Sequence, residues 1–119
     1  DMQNLLNSTD IATLFLDNDL NVRRFTDKIT RIIHLRDSDI GRPLSDLAST
    51  LNYPQLHDDA KETLRTLAFS EKQISTTDGH WYNVRIMPYR TVANVIQGAV
   101  ITLVDITAAK ELESRLRKA

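Results

Sequence analysis

The chain has 119 residues, a formal net charge of −1 and 41% hydrophobic residues, which is ordinary for one globular domain with a single core. Its basic residues are interspersed with acids and form no stripe, so we expect no nucleic-acid partner. The sequence contains no cysteine, which excludes disulfides and thiolate chemistry and fits a cytoplasmic location, and it contains no apolar run long enough to span a membrane.

The first third of the chain predicts a helix end, a β-hairpin and a second helix. Residues 1–10 combine one apolar helical face with a polar break, which indicates the end of a helix that leads into the domain. Residues 11–17 and 21–26 flank an Asn-Asp turn and are predicted to form a hairpin. Thr26 is placed to cap a helix over residues 27–35, whose isoleucines recur at helical spacing.

The middle of the chain predicts further helical structure. Residues 36–53 contain short polar and Gly/Pro signals, which indicate one or two helical turns joined by loops. Pro54 begins a clearer amphipathic helix that extends to Ala68. The apolar side of this helix is predicted to contain Leu56, Ala60, Leu64 and Leu67.

The last third of the chain changes to an apolar period of two, which predicts strands. Asp78-Gly79 is a two-residue hairpin signal that joins residues 71–77 to residues 80–91. Residues 96–107 are apolar at both alternating sets of positions. Within the second of these three strands, one face is predicted to carry Tyr82, Val84 and Ile86.

These elements predict an α+β fold class, in which a five-stranded antiparallel sheet carries helices on one face and a C-terminal helix follows. The strand over residues 96–107 should be central, because a strand with two apolar faces needs cover on both sides. The second face of the sheet therefore needs a cover as well, either the N-terminal helix or another subunit.

Three motifs resemble those of the PAS sensory domain, and the likeness extends over essentially the whole chain. Asp105-Ile106-Thr107 is similar to the family's strand-to-helix junction. Asp78-Gly79 followed by Trp81-Tyr82 is similar to its second hairpin, and residues 16–25 are similar to its opening hairpin. More narrowly, the chain resembles PAS domains fused to chemotaxis methylesterase and receptor-methyltransferase enzymes of the CheB–CheR type.

The resemblance implies a domain organisation and a role. Residues 11–107 would form the PAS domain, preceded by the helix end at residues 1–10 and followed by an output-linking helix at residues 108–119. The expected role is a non-catalytic sensory and dimerisation module of a bacterial signalling protein whose output is a methyltransferase or methylesterase, a histidine kinase or a diguanylate cyclase. The alternative is a structural dimerising spacer with a packed core and no ligand.

The end of the last strand is the predicted signal junction. The side chains of Asp105 and Thr107, on either side of Ile106, can bind backbone N–H groups where the strand stops, and Thr107 is a good helix N-cap. Simple capping is the alternative to a signalling role. In the following helix, Ala109, Leu112 and Leu116 have heptad spacing and predict a homodimeric coiled coil, the alternative being a short helix folded back on the sheet.

The resemblance also implies a ligand pocket between the sheet and its helices. Because the expected lining is mainly aliphatic, with Thr102 as a possible polar contact, it favours a small apolar or weakly polar metabolite, and an empty, packed interior is the alternative. The residues expected to line the pocket are Leu14, Phe25, Ile32, Leu47, Leu51, Leu64, Val84, Ile86 and Thr102.

The sequence carries no signal for catalysis or for a resident cofactor. It has no nucleophile elbow, no glycine-rich phosphate loop and no paired carboxylates in an apolar stretch. Flavin photochemistry of the family's light-sensing branch needs a cysteine, which this sequence lacks. His57, the best haem candidate, is followed by two aspartates that favour solvent. His34 and His80 are expected to be exposed or half-buried, so neither haem, flavin nor a metal is predicted.

Overall fold

The computed structural model describes residues 11–33, 35–46, 53–90, 93 and 95–118. The predicted helix end at residues 1–10, the expected pocket residues Leu47 and Leu51, and His34 lie outside the described residues. The strands are β1 (Ile11–Asp17), β2 (Val22–Phe25), β3 (Ser70–Ser75), β4 (Trp81–Arg90) and β5 (Ile96–Asp105). The α-helices are α1 (Leu56–Thr66) and α2 (Thr107–Lys118). Short 3-10 helices span Asp27–Arg31, Asp37–Asp39 and Leu44–Asp46.

The strands form one antiparallel sheet in the order β2-β1-β5-β4-β3. The expected five-stranded antiparallel sheet is therefore confirmed, and β5 is its central strand. Strand β5 pairs with β1 along one side and with β4 along the other. This position agrees with the apolar character of both of its faces.

The register of the three middle strands separates an inner face from an outer face. Leu14, Ile101 and Ile86 lie side by side in one inner row and are almost completely buried. Thr102, the next residue along β5, lies opposite both Thr13 and Arg85 in the neighbouring row. Because side chains alternate along a strand, the two rows point to opposite faces of the sheet.

The hydrophobic core lies on the inner face, between the sheet and the helical segments. The 3-10 helix Asp27–Arg31 and the residues after it contribute the buried Ile29, Ile32 and Ile33. Helix α1 contributes Leu56 and Ala60. Neither of the two described α-helices is long and apolar enough to cross a membrane.

Helix α1 ends earlier than its apolar pattern predicts. Leu67 was expected on the buried side of the helix, but it is the C-cap residue, with a left-handed φ of 60°, and its side chain is 44% exposed. The buried face is instead completed by Thr63. The left-handed backbone of Leu67 turns the chain away from the helix axis and ends the helix. The apolar spacing of the sequence therefore extends one position beyond the helix itself.

The segment after β2 also differs from its prediction. It forms a 3-10 helix over Asp27–Arg31, and the side chain of Thr26 does not cap it. The Oγ1 of Thr26 instead accepts a hydrogen bond from the backbone N–H of Thr13 at 3.0 Å, while the N–H of Thr26 donates to the carbonyl of Thr13 at 3.0 Å. Thr26 therefore extends the pairing of β1 beyond the end of β2.

The hairpin between β3 and β4 has a longer loop than Asp78-Gly79 alone predicts. Ser75 pairs with Trp81, and the N–H of Thr76 donates to the carbonyl of His80 at 2.8 Å. Three residues therefore form the loop, and Gly79 takes a φ of 88° at its last position. Glycine at the left-handed position is the usual requirement of a three-residue hairpin loop.

Gly98 allows β1 and β5 to approach closely. It lies opposite Asp17, and a Cβ atom at this position would lie 1.8 Å from the carbonyl oxygen of Leu16. We predict that Gly98→Ala lowers the free energy of unfolding by about 1–3 kcal/mol, because β1 must move away from the central strand. Urea denaturation of the purified domain measures this change.

The exposed neighbour of Gly98 provides the matched control. Gln97→Ala introduces the same side chain one position earlier and should change the free energy of unfolding by less than about 0.5 kcal/mol. Equal unfolding midpoints for the two variants would show that the close approach does not limit the side chain at Gly98.

Candidate functional site at the strand-to-helix junction

The predicted signal junction forms a compact hydrogen-bonded turn between β5 and α2. The Oδ1 of Asp105 accepts hydrogen bonds from the backbone N–H of Thr107 at 2.9 Å and from its hydroxyl at 2.6 Å. The carbonyl of Ile106 accepts the first bond of the helix, from the N–H of Lys110 at 2.9 Å. Thr107 is therefore the first residue of the helix, and Asp105 supplies the capping oxygen that was expected from Thr107.

The same threonine joins α2 to the beginning of β4. The N–H of Trp81 donates to the Oγ1 of Thr107 at 3.0 Å, and the N–H of Ile106 donates to the carbonyl of Trp81 at 2.9 Å. The ammonium group of Lys110 lies 5.1 Å from the centre of the Trp81 ring. Three elements, β4, β5 and α2, are thus held together within a few residues.

Helix α2 presents its predicted heptad positions to solvent. Ala109 is exposed, and the side chains of Leu112 and Leu116 are 58% and 69% exposed. These residues do not pack against the domain's own sheet. An exposed pair of leucines one helical turn apart forms an apolar stripe that a second helix can cover.

The loop between β3 and β4 places a histidine beside the junction. The Nδ1 of His80 lies 3.1 Å from Oδ1 of Asp78, which also accepts a hydrogen bond from the hydroxyl of Thr76. The hydrogen bond and the charge of Asp78 raise the pKa of His80, with smaller contributions from Asp105 and Glu111. Hydrogen bonds from Thr76 and His80 lower the pKa of Asp78.

The expected pocket residues on the sheet belong to closed packing. Leu14, Val84 and Ile86 share the inner face and are at most 1% exposed. A void large enough for one water molecule would leave accessible surface on the side chains around it, so none adjoins these three. Phe25 and Leu64 are partly buried and pack against the same core.

Thr102 does not lie with the other expected pocket residues. It faces the outer side of the sheet, in the row of Thr13 and Arg85, because Ile101 and Leu103 occupy the inward positions of β5. The expectation that Thr102 supplies a polar contact inside the pocket is therefore wrong. The sequence leaves this choice open, since β5 is apolar at both sets of alternating positions.

An open cleft of about 600 Å³ lies at the junction end of the inner face. It brings the expected pocket residue Ile32 together with the junction residues Asp105 and Thr107. The sequence pattern did not identify the other residues that line the cleft. For Tyr82 a signal was available, because the register of β4 and β5 places it opposite the junction residue Asp105. The missed residues are Ala12, Lys28, Arg31, His80, Tyr82, Leu103, Ala108 and Glu111.

His57, the haem candidate, lies on α1 at a smaller cleft of about 250 Å³. Its Nδ1 is 3.8 Å from the carboxylate of Asp58, and its side chain is 39% exposed. Within the described part of the chain, no three His, Asp or Glu side chains are grouped closely enough to hold a metal ion. The cleft beside His57 has mixed apolar and polar walls, formed by Ile33, Leu44, Ser45, Tyr53, Pro54 and Leu56.

Comparison with known protein families and curated sequences gives one family match and one informative relative. A family model described as a PAS domain matches residues 2–107. An uncharacterized 104.1 kDa protein encoded in the hypE 3′ region of Rhodobacter capsulatus is 40% identical over 113 residues. That match covers 95% of this chain but only 12% of the relative, so the chain spans a small part of the relative's length.

Solved structures with the same fold come from signalling and regulatory proteins. The PAS domain of histidine kinase ThkA has a TM-score of 0.69 at 19% identity, covering 82% of this chain and 100% of its own. VqmA bound to DPO has a TM-score of 0.67 at 16% identity, covering 87% of this chain and 56% of its own. A sensory box sensor histidine kinase from Vibrio cholerae has a TM-score of 0.60 at 14% identity, with 89% of each chain covered. These likenesses confirm the expected PAS fold.

Thr107 is predicted to stabilise the junction through its hydroxyl group. Thr107→Val keeps the shape of the side chain but leaves the N–H of Trp81 without its acceptor, so we expect the free energy of unfolding to fall by about 1–3 kcal/mol. Urea denaturation measures the loss, and hydrogen exchange should become faster at the Trp81 amide. Thr66→Val is the control, because its exposed hydroxyl donates to the carbonyl of Glu62 within α1 and accepts only a long hydrogen bond, at 3.4 Å, from the exposed N–H of Ala68. Equal losses in both variants would contradict a special role for Thr107.

His80 is predicted to titrate above its ordinary pKa of 6.5 because of Asp78. Asp78→Asn should lower that pKa, which NMR of the imidazole nitrogens measures directly. A raised folded-state pKa stabilises the fold below the unfolded pKa, and this stabilisation disappears as the pH rises through the folded pKa. The difference in stability between the wild type and Asp78→Asn should therefore be greatest near about pH 5–6, below the ordinary histidine pKa, and should decrease as the pH rises through the folded-state pKa of His80. An unchanged His80 pKa in the variant would refute the pairing.

Proposed function

Since this chain belongs to the PAS domain family, we propose that it is a non-catalytic sensory and dimerisation module of a cytoplasmic bacterial signalling protein. In this proposal a change in the domain is transmitted through α2 to an output domain that follows it. The observation that carries the proposal is the direct bonding of the central strand, the start of β4 and the first residue of α2 at Asp105–Thr107.

The central position of β5 supports transmission through the junction. Its inward residues Ile101 and Leu103 lie in the hydrophobic core, while Asp105 at its end caps α2. A ligand or partner that favours one of two packings of the core against β5 would also favour one orientation of the helix. A difference in binding free energy of about 1–3 kcal/mol between the two states is sufficient for such coupling.

The surface of α2 supports dimerisation. Leu112 and Leu116 form an exposed apolar stripe at heptad spacing beside Ala109, and pairing of two such helices would cover it. A parallel pair would place the two output domains side by side. We propose that the output is of the chemotaxis methyltransferase–methylesterase type or of the two-component kinase type, from the sequence resemblance and from the fold shared with histidine-kinase PAS domains.

The ligand we propose for the interior is a small apolar or weakly polar metabolite, without haem or flavin. The inward side chains of Leu14, Val84 and Ile86 are aliphatic, which suits such a molecule. Because these side chains leave no water-sized space, the molecule would have to separate the helices from the sheet as it enters. Its binding and a change in packing would then be the same event.

The closed packing also favours a second candidate function. A core that is filled by its own side chains needs no ligand for stability. Under this candidate the domain is a structural spacer that holds two copies of the parent protein together through α2.

Native mass spectrometry of the purified chain tests both candidates, because it reports the dimer and any retained small molecule together. We predict a dimer, and we predict that Leu112→Glu with Leu116→Glu weakens dimerisation at least about tenfold, since two pairs of like charges replace the apolar stripe. Ser114→Glu is the control, because it adds a charge on the opposite side of the same helix.

The outcomes separate the two candidates. A dimer that retains a small molecule supports the sensory module, and a dimer that stays empty through purification and incubation with cell metabolites supports the spacer. A wild-type chain that is monomeric at high concentration would overturn both. A dimer that survives the double leucine variant would place the interface elsewhere and refute the role of α2.

A further inference from the structure

The open cleft at the junction has the features of a binding site that differs from the closed interior. It has a volume of about 600 Å³, within the range of small-molecule sites. Its walls come from the 3-10 helix Asp27–Arg31, from the ends of β1, β4 and β5, and from the first turns of α2. A molecule in the cleft would therefore contact the fixed sheet and the emerging helix at once.

The floor of the cleft is apolar. Its accessible surface is formed by Tyr82, which is half-buried, and by Ala108, which is exposed. Ala12, Ile32 and Leu103 lie beneath this surface and are at most 4% exposed. Such a floor can hold an aliphatic group of a ligand without rearrangement of the core. Burial of that group from water would supply the non-directional part of the affinity.

The rim of the cleft carries both signs of charge on separate elements. Lys28 and Arg31 lie on the 3-10 helix, whereas Asp105 ends β5 and Glu111 lies on the first turns of α2. Charges of both signs affect Tyr82, which also lines the cleft. Burial, followed by the charges of Asp105 and Asp78, raises the pKa of Tyr82, and the charge of Arg31 opposes this change. Glu111 and Asp105 also act together on His80.

This arrangement matches a ligand that itself carries both charges. The two cations and two carboxylates on the rim balance one another. The carboxylates would repel a simple anion, and Lys28 and Arg31 would repel a simple cation. A carboxylate can bond with a guanidinium in a bidentate manner. Asp105 uses Oδ1 for Thr107, which leaves its Oδ2 to accept a hydrogen bond from an ammonium group.

We propose that the cleft binds a small zwitterion of the α-amino acid class with an aliphatic side chain. Its carboxylate faces Lys28 and Arg31, its ammonium group faces Asp105 and Glu111, and its side chain lies on the apolar floor. The bound molecule connects the 3-10 helix to α2. Binding in the cleft is independent of the proposed function, whereas an effect on the leucine stripe of α2 rests on it.

The position of Glu111 explains how occupancy would reach the dimer surface. Residues Ala108 and Glu111 of α2 face the cleft, whereas Leu112 and Leu116 form the exposed stripe on an adjacent side of the same helix. A ligand that draws Glu111 toward the 3-10 helix would turn the stripe about the helix axis. The junction at Thr107 would act as the pivot, since it is bonded to β4.

Titration of the isotope-labelled chain with L-leucine, followed by amide NMR, tests the proposal. We expect shifts at the cleft residues and along α2, and we expect N-acetyl-L-leucine and L-leucinamide, which each lack one charge, to bind at least about tenfold more weakly. Arg31→Gln and Glu111→Gln should each weaken L-leucine binding to a similar extent. Both residues are exposed, so these variants should fold normally.

Matched variants outside the cleft provide the controls. Arg65→Gln on α1 and Glu113→Gln on α2 remove the same charges without touching the cleft, and they should bind L-leucine as the wild type does. A panel of L-leucine, L-isoleucine, L-valine and L-methionine that gives no shifts up to about 10 mM would overturn the proposal. Binding of either derivative as tightly as L-leucine would also overturn it.

The same samples separate this inference from the proposed function. Absence of amino-acid binding together with an intact α2 dimer would refute the cleft site and leave the module standing. Binding to a chain that does not dimerise would support the cleft site and refute the role of α2. Binding to a dimer whose α2 resonances beyond Glu111 remain unchanged would confirm the site and exclude its coupling to the stripe.

Discussion

Strand β5 is hydrogen-bonded to β1 on one side and to β4 on the other, and this double pairing positions every other element of the domain. It brings the inward side chains of three strands into one buried layer on which the helical segments pack. It also fixes where the sheet ends, because Asp105 is the last residue of β5 and Tyr82 lies opposite it. Gly98 preserves the pairing, since any side chain there would collide with the backbone of β1.

The junction converts that fixed strand end into a fixed helix start. Asp105 accepts a hydrogen bond from the N–H of Thr107, and Thr107 accepts one from the N–H of Trp81, so these bonds hold the start of the helix against β4. Helix α2 then carries two different surfaces, a charged side toward the cleft and an apolar stripe toward solvent. In the proposed function, their placement on one short helix would connect an input to a dimer interface.

The interior and the junction differ in how they could accept a ligand. On the inner face of the sheet, the described side chains of Leu14, Val84 and Ile86 are at most 1% exposed, so a guest beside them must compete with close packing. At the junction, the floor is already formed and the rim is charged and open, so a polar guest displaces only water. The two places therefore suit molecules of different chemistry.

The sequence by itself determined the order of the elements, the central position of β5, the inward set Tyr82, Val84 and Ile86, and the junction at Asp105–Thr107, because these depend on local period and on short motifs. The face of Thr102, the end of α1 at Leu67 and the partner of Thr26 were decided only by the tertiary structure. The pattern of a strand that is apolar on both sides does not show which of its residues face inward. The side chain of Thr26 could cap the next helix or bind a distant backbone N–H, and only the fold brings the N–H of Thr13 near it. The cleft belongs to the same class, since its charges come from residues as far apart as Lys28 and Glu111, which no pattern along the chain could unite.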